Sequence, residues 1–460
     1  MTKLARLAFF CIFLNSPSAV AFQQIPLFSN EFTDLTDSDL DDRPLTLGIY
    51  FQGKSPRYEN EEKLFSLAST KKVITASTAL RVLGPEFRFI NEFTALYDPS
   101  NSTVLSPVFF VSGDPTWANP SYGESLTSRI MVVIRELKRL GVRKVVGEID
   151  IQLLSPAVGS FVRPKNWKPS WLLECYASLP TPVILNGNCA QMVINLDHSF
   201  WLTNGVSTPI ENLLKLSSQN RVEVLPQLDN WGRVQKYVLR GGISKPTSIY
   251  LPVHNNEEWL KNLFIQQLRV NAIQYLKNDQ SMADSSNPTS EVYVDLSSMT
   301  LKEMIPPFLQ ESINMVGERL HLEASDDLGT MAAILSDPQE YNNVQFVDGS
   351  GLMAANVTSP KTFYRFLSAL RDQSFFPIFY SGLPVSGKSG TLKNRMNTPL
   401  LNGRVYAKTG TIDHVVNLAG YWTKQDDTLE PFVIFTDSSL IPQSARRLID
   451  DIVDEFARKN

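Results

Sequence analysis

In the stretch STKKVITASTALRVLG, residues 69–84, apolar side chains stand at Val73, Ala76, Leu80 and Leu83. That is the spacing of one helical face, with Ser69 at its start and Gly84-Pro85 at its end. Few of its central residues are charged, so the helix is expected to be buried. From about Phe87 to Ser290 the period changes. Short β-like runs (NEFTALYD, VLSPVFFVSGD, KVVGEIDIQ, QMVINLD, VQKYVLRGG, TSIYLPV) alternate with Pro, Gly and Asn turns. Two helical stretches interrupt them, near Ser125–Leu140 and Glu257–Leu276. Helical periods return in MTLKEMIPPFLQESINMVGERLHLEA and SPKTFYRFLSALRD. Three strand candidates follow, GRVYAKTGTI, VVNLAGYWTK and PFVIFTD, joined by polar turns, and are expected to be antiparallel. A last helix, Gln443 to Arg458, places Leu448, Ile449, Ile452, Val453 and Phe456 on one face. Upstream, LTLGIYF (Leu45 to Phe51) is a further strand candidate. The order describes a split α/β domain carrying an insertion. The expected divisions are 1–21, 22–86, 87–290 (β-rich insert) and 291–460, with DQSMADSSNPTSE, Asp279 to Glu291, as a linker or exposed loop.

The first segment is of another kind. MTKLARLAFFCIFLNSPSAVAFQQ has Lys3 and Arg6, then the apolar run Leu7 to Leu14, then Ala19-Val20-Ala21. This is the pattern of a secretory signal peptide cut before Phe22, and the run is too short to span a bilayer. Cys11 would leave with it. Cys175 and Cys189 remain, and an even count in an exported chain favours one disulfide over two buried thiols. The composition, 43% hydrophobic and 20% charged, is that of a globular protein with material for a large core. The net charge of -4, with no basic block, argues against nucleic acid as a partner.

One motif points the wrong way. GLPVSGKS, Gly382 to Ser389, fits the nucleotide-binding pattern G-x-x-x-x-G-K-[ST], and FVIFTD imitates the strand that would accompany it. A true phosphate loop needs a strand before it and a long helix after it. Here Gly390, Asn397, Pro399 and Gly403 punctuate the chain, and an exported protein meets little nucleotide triphosphate. No nucleotide is expected. The four histidines, His198, His254, His321 and His414, are scattered, so neither a metal site nor a serine–histidine triad has a local pattern.

Ser69-Thr70-Lys71-Lys72 is the better candidate. A serine needs a base to become a nucleophile, and a lysine can be that base once its pKa is lowered. Residues i and i+3 share a helix face, so Lys72 can meet Ser69 while Lys71 points elsewhere. Ser-x-x-Lys alone is weak, expected about once or twice by chance in such a chain. Ser312-Ile313-Asn314, on a predicted helix, adds a proton relay and an amide. Ser-x-Asn is also cheap: it recurs at Ser218-Gln219-Asn220 and Ser285-Ser286-Asn287. Lys408-Thr409-Gly410-Thr411, on a strand candidate, is rarer, expected roughly a tenth of a time by composition. A strand edge can offer backbone N–H groups to a carbonyl, with glycine allowing close approach.

In that order the three motifs resemble those of penicillin-binding proteins and serine β-lactamases. LASTKKVITASTALRVLGPEFRF, SGDPT, SINMVGERL, VDGSGL, GTLKNR and YAKTGTIDHVVNLAGYW are similar, in order, to landmarks of the class C low-molecular-mass penicillin-binding proteins of peptidase family S13. These are D-alanyl-D-alanine carboxypeptidases/endopeptidases related to penicillin-binding protein 4. The resemblance implies a β-lactamase/transpeptidase-like α/β (α+β) domain, an antiparallel sheet with flanking helices and a helical subdomain, carrying inserted β-rich domains. It implies Ser69 as the acylated serine, Lys72 as its base, Ser312 and Asn314 as the second motif, and Lys408 with Thr409 and Gly410 as the third. The oxyanion hole would be the backbone N–H groups of Ser69 and Thr411, with Arg395 a substrate contact at the cleft rim. Expected partners are peptidoglycan stem peptides, and β-lactams as covalent inhibitors. No cofactor is expected, and the location is periplasmic. Oligomeric state stays open, as do a β-lactamase-type hydrolase and a non-catalytic wall-binding relative. The family's acidic residue for a diaminopimelate side chain is expected a few positions before the first insert cysteine. Here Glu174 directly precedes Cys175, out of that register, and Ile313 stands where aspartate is common.

Overall fold

A computed structural model describes residues 44–154, 167–228, 234–278, 288–336, 341, 343–438 and 440–460. The leader at 1–21, the Ser285-Ser286-Asn287 decoy and most of the linker beginning at Asp279 lie outside them.

The sheet that carries the site is assembled from both ends of the chain. Strands β1 (Thr46–Phe51) and β2 (Arg57–Glu59) join β3 (Val405–Ile412), β4 (Val415–Thr423) and β5 (Leu429–Asp437) in the order β3-β4-β5-β1-β2. All four pairings are antiparallel, as the turn spacing predicts. β4 and β5 are buried along nearly their whole length, which is why their sequences are continuous apolar runs rather than alternating ones.

Helices cover both faces. Helix α1 (Lys71–Val82), preceded by a 3-10 turn at Ala68–Thr70, is buried from Lys71 to Leu80. It packs with α4 (Leu301–Gln310), α5 (Asn314–Ala324), α6 (Asp327–Leu335) and α7 (Pro360–Leu370) in one core against one face of the sheet. The C-terminal helix α9 (Pro442–Lys459), which follows the short α8 (Phe376–Ser381), puts Ile449, Ile452, Val453 and Phe456 on the other face.

Between the two parts of this unit runs the β-rich block. One six-stranded sheet includes Glu92–Asp98, Thr103–Val111, Lys144–Val146 and Ser290–Asp295, packed against α2 (Ser128–Arg139) and α3 (Asn256–Val270). Smaller sheets follow, with Cys189–Ile194 paired to Thr247–Pro252 and Val234–Ile243 paired to Arg221–Leu228. Arg319 of α5 ties the block down: its buried guanidinium donates to the carbonyls of Ser112 and Gly113 and to Glu323.

Two sequence expectations are corrected. The run Met299–Ala324 is not one helix. It breaks between Gln310 and Asn314, where Ser312 takes a left-handed backbone conformation (φ 60°), so Ser312 sits in a turn and only Asn314 is helical. The break turns the serine hydroxyl out of the helix line and toward the cleft. Arg395 is not at the cleft rim. Its guanidinium pairs with Asp450 of α9 at 2.7 Å, on the far side of the sheet from α1.

The nucleotide-like GLPVSGKS also finds its place. Val385 bridges to Tyr406 of β3, a single 3-10 turn (Gly390–Leu392) follows, and FVIFTD is the antiparallel β5. The strand–loop–helix context of a phosphate loop is not present there.

Cys175 and Cys189 form a disulfide that closes a separation of 14 residues. Loop-closure entropy predicts that replacing both cysteines by alanine lowers unfolding stability by about 3 kcal/mol. Urea denaturation of the double variant checks this, and an unmoved midpoint counts against it.

Candidate active site

The turn before α1 is held in an uncommon shape. Ala68 has φ 44°, a left-handed value for a residue with a side chain. The Leu67 carbonyl accepts from Thr70 Oγ1 (2.6 Å) and from Asn417 Nδ2 (3.0 Å), which also donates to the Ser66 carbonyl (2.8 Å). Asn417 is a lone polar residue inside the apolar run of β4. Its Oδ1 accepts the Thr436 N–H at 3.1 Å, so all of its polar atoms are used by backbone. Two glycines make room for this turn. A Cβ on Gly351 would lie 1.9 Å from the Ala68 carbonyl oxygen, and one on Gly410 would lie 2.8 Å from that of Leu67.

Ser69 is thereby presented to a cavity of about 320 Å³ that Ser312, Asn314 and Thr411 also line. The two lysines lie beneath these residues, fully buried. Lys72 Nζ is 2.9 Å from Ser69 Oγ, 2.7 Å from Asn314 Oδ1 and 2.7 Å from the Ser350 carbonyl. Lys408 Nζ donates to Ser312 Oγ (2.8 Å) and to the Thr409 carbonyl (2.9 Å). Thr409 Oγ1 bonds to Thr391 Oγ1 at 2.9 Å. Gly410 backs onto the Leu67–Ser69 backbone. All the sequence-predicted residues therefore converge, except Arg395.

Burial sets the electrostatics. It lowers the Lys72 pKa to about 7; Asp348 and Glu318 work against the fall, and Lys71 adds to it. Lys408 is pushed well below the ordinary lysine range by burial and by the charge of Lys72. A lysine near neutrality, within hydrogen-bonding reach of a serine, can take the serine's proton.

Several residues of the site escaped sequence reasoning. The VDGSGL run supplies Asp348, whose carboxylate accepts the N–H groups of Gly351 (2.6 Å) and Met353 (2.7 Å) and the Asn356 amide (3.0 Å), and Ser350, whose carbonyl holds Lys72. Glu318 accepts the Ser350 N–H at 2.9 Å. Asn417 could have been suspected as an amide in an otherwise apolar strand. Lys71 is not a solvent lysine. It is fully buried, paired with Asp327 at 2.8 Å and bonded to Thr75 Oγ1 at 2.8 Å. His321 Nδ1 approaches the same Asp327 oxygen at 2.6 Å. Burial alone would raise the Asp327 pKa, but Lys71 and His321 outweigh it and hold the carboxyl below the usual range.

The β-rich block supplies one wall. Tyr176, next to the disulfide, accepts Asn314 Nδ2 at its carbonyl (2.9 Å), which fixes the amide with its oxygen toward Lys72. Glu311 lines the cleft and accepts from Ser121 Oγ. Glu174 is exposed and is not part of the wall.

The sequence matches the model of the D-Ala-D-Ala carboxypeptidase 3 (S13) family over residues 55–460. The chain belongs to that family. Among its relatives, the D-alanyl-D-alanine carboxypeptidase DacB of Haemophilus influenzae is 23% identical over 397 residues, 80% of this chain and 79% of that one. The penicillin-sensitive carboxypeptidase A of Dictyostelium discoideum is 24% identical over 411 residues, 78% and 74% of the two chains. In structure, the chain is similar to penicillin-binding protein 4 of Haemophilus influenzae, with a TM-score of 0.68 at 21% identity over 88% of this chain and 93% of that one. A complex of that protein with a β-lactam gives 0.64 at 19% identity, over 88% and 92% of the two chains. The S13 fold, a transpeptidase-like sheet and helices with inserted β-rich parts, is thus the fold of this chain.

The buried Lys71–Asp327 pair gives a stability test. Asp327→Ala strands a buried ammonium and is expected to cost about 3–5 kcal/mol in urea unfolding. Breaking the exposed Arg139–Glu136 pair is expected to leave the midpoint unmoved. Equal losses in the two variants would refute the contrast.

Proposed function

We propose that this S13 protein is a penicillin-binding serine D-Ala-D-Ala carboxypeptidase/endopeptidase that acts on peptidoglycan stem peptides through an acyl-enzyme on Ser69. One observation carries the assignment: the amine of Lys72 has three oxygen neighbours, and two of them are carbonyl oxygens. A neutral amine has two N–H bonds and one lone pair. Carbonyl oxygens cannot donate, so Asn314 Oδ1 and the Ser350 carbonyl take the two N–H bonds. The lone pair is left for Ser69 O–H.

The steps follow. Ser69 Oγ bonds to the penultimate D-alanine carbonyl carbon while its proton passes to Lys72 Nζ. The oxyanion is held by backbone N–H groups of Ser69 and Thr411. Collapse breaks the C–N bond, and the leaving amine takes a proton from Ser312 Oγ, which Lys408 holds and which is refilled from the Lys72 ammonium, so that Lys72 is neutral again. Lys408 and Thr409 stand where a terminal carboxylate would be met. Water then adds to the ester carbonyl, its proton passing to Lys72, and the ester C–O bond breaks as Lys72 returns that proton to Ser69 Oγ. The same serine would be acylated by β-lactams, in keeping with the penicillin sensitivity and β-lactam complex named for the relatives.

The proposed setting is the periplasm, after removal of residues 1–21. The S13 membership and the A-x-A leader pattern support export. Among the described residues, no helix is long and apolar enough to cross a membrane. We also propose that residues 87–290 are the insert and that its return to the peptidase unit follows Ser290–Asp295; the pairing of that strand with Glu92–Asp98 supports this reading.

Because Lys72 must be neutral to act, acylation should be slow below pH 7, rise through about 7 and level off above it. Stopped-flow labelling with a fluorescent penicillin reads this profile. Ser69→Ala should abolish labelling; wild-type labelling of that variant refutes the nucleophile. Release of D-alanine from a D-Ala-D-Ala tripeptide, set against nitrocefin turnover, separates the peptidase from a β-lactamase.

A further inference from the structure

Helix α5 reaches the lysine by two routes. Its first residue, Asn314, touches Lys72 directly. One turn later Glu318, which is 2% exposed, faces the VDGSGL loop. Its Oε1 accepts the Ser350 N–H at 2.9 Å and its Oε2 the Gly349 N–H at 3.5 Å. The Ser350 carbonyl, on the same residue, is the second acceptor of Lys72. From the opposite side α1 grips the preceding residue: Thr75 Oγ1, itself bonded by Lys71 Nζ, donates to the Gly349 carbonyl at 2.8 Å. The loop passes α5 too closely for a side chain at position 349. A Cβ on Gly349 would lie 2.0 Å from the Gly317 carbonyl oxygen of α5.

A buried carboxylate is an expensive way to hold two N–H groups, since an ionised group in the interior loses its hydration. An apolar side chain would pack the same space without that cost. What the carboxylate adds is a fixed direction for the Ser350 peptide and a negative charge near the lysine. We propose that Glu318 is a positioning residue for acylation: by gripping the Ser350 N–H it holds the Ser350 carbonyl on Lys72, and so keeps the lysine lone pair on Ser69. This deepens the reading of Ser69 and Lys72 above and rests on it. In the base-catalysed step the proton moves from Ser69 Oγ to Lys72 Nζ, and the new ammonium keeps both carbonyl partners. Glu318 itself exchanges no proton.

The charges around Lys72 come from every element packed on it. Lys71 is on its own helix, Lys408 on β3, Glu318 on α5 and Asp348 on the loop; His321 of α5 acts on Glu318 and Asp327, and Asp327 of α6 pairs with Lys71. Glu318 is raised to about 7 by burial and by Asp348, and it supports the protonated form of Lys72 against burial. Loss of its charge therefore moves the lysine's titration downward.

The test is penicillin acylation of the full chain across pH, with the label located by peptide mass mapping. Glu318→Gln keeps the length and removes the charge. It should lower the high-pH plateau by about tenfold or more, with non-covalent affinity unchanged and the pH midpoint displaced downward. A loss of packing alone would lower the melting temperature and leave the midpoint in place. Glu318→Asp keeps the charge and withdraws it by one methylene. A slower plateau at the wild-type midpoint is expected. A wild-type plateau in Glu318→Asp overturns the proposal, also where the glutamine variant does not fold. A wild-type plateau and midpoint in a folded Glu318→Gln overturns it as well. Wild-type label mapping to a residue other than Ser69 would instead refute the nucleophile assignment.

Discussion

The cleft is organised by the need to keep an amine buried and uncharged beside a serine. A lysine in water holds its proton to about pH 10.4. Desolvation is the largest influence that brings Lys72 down, and it requires complete burial. Burial in turn demands partners for each N–H bond, because an unpaired donor in the interior costs about 1–3 kcal/mol. The partners must also be acceptors only, or the lone pair would be consumed. Asn314 Oδ1 and the Ser350 carbonyl meet both conditions. The amide of Asn314 is oriented by the Tyr176 carbonyl, and the peptide of Ser350 by Glu318.

That demand explains why segments far apart in the chain must be brought together. Lys72 lies 242 residues from Asn314 and 278 from Ser350. No local element can join them, so the helices α1 and α5 share one core and are packed against one face of the sheet. The sheet is itself closed by β1, which pairs with β5 along its six residues and secures the N-terminal part to the C-terminal part. The strain at Ala68 is held from the same side, by Asn417 of β4 and by the close approach of Gly351 and Gly410. A left-handed backbone at a residue with a side chain persists only where its surroundings over-determine it.

What could be read from the sequence was what is encoded locally. Ser69 and Lys72 are three positions apart on a helix, and Lys408 lies on a strand with clear hairpin partners. Both could be placed before any tertiary contact was known. Strand types were legible because the runs between turns are short and regular, and the coverage of β4 and β5 on both faces is written in their continuous apolar sequence. The failures have the opposite character. Apolar periodicity that runs straight through Glu311–Ile313 predicts a helix for Ser312, while the left-handed turn there leaves no trace in composition. Arg395 looked like a cleft residue from its place in a motif, but the partner that claims it, Asp450, is 55 positions away. Glu318, Asp348 and Asn417 bind backbone groups, and a backbone partner has no residue type for a sequence pattern to display.

The β-rich block enters the same logic from outside. Its contact with the site is through a backbone carbonyl, that of Tyr176, rather than through a reactive side chain. Tyr176 follows Cys175, and the bridge to Cys189 ties it to a strand of the block's own sheet. Asn186, Gly187 and Asn188, all in left-handed conformations, shape the turn that leads into that strand. A wall fixed at its backbone can vary in side chains without disturbing the amide of Asn314. The lining of the cavity and the orientation of the Asn314 amide are thereby carried by different atoms of the same segment. Trp171 and Tyr176 line the cavity, while the Tyr176 carbonyl, one residue past the disulfide, holds the amide whose oxygen meets Lys72.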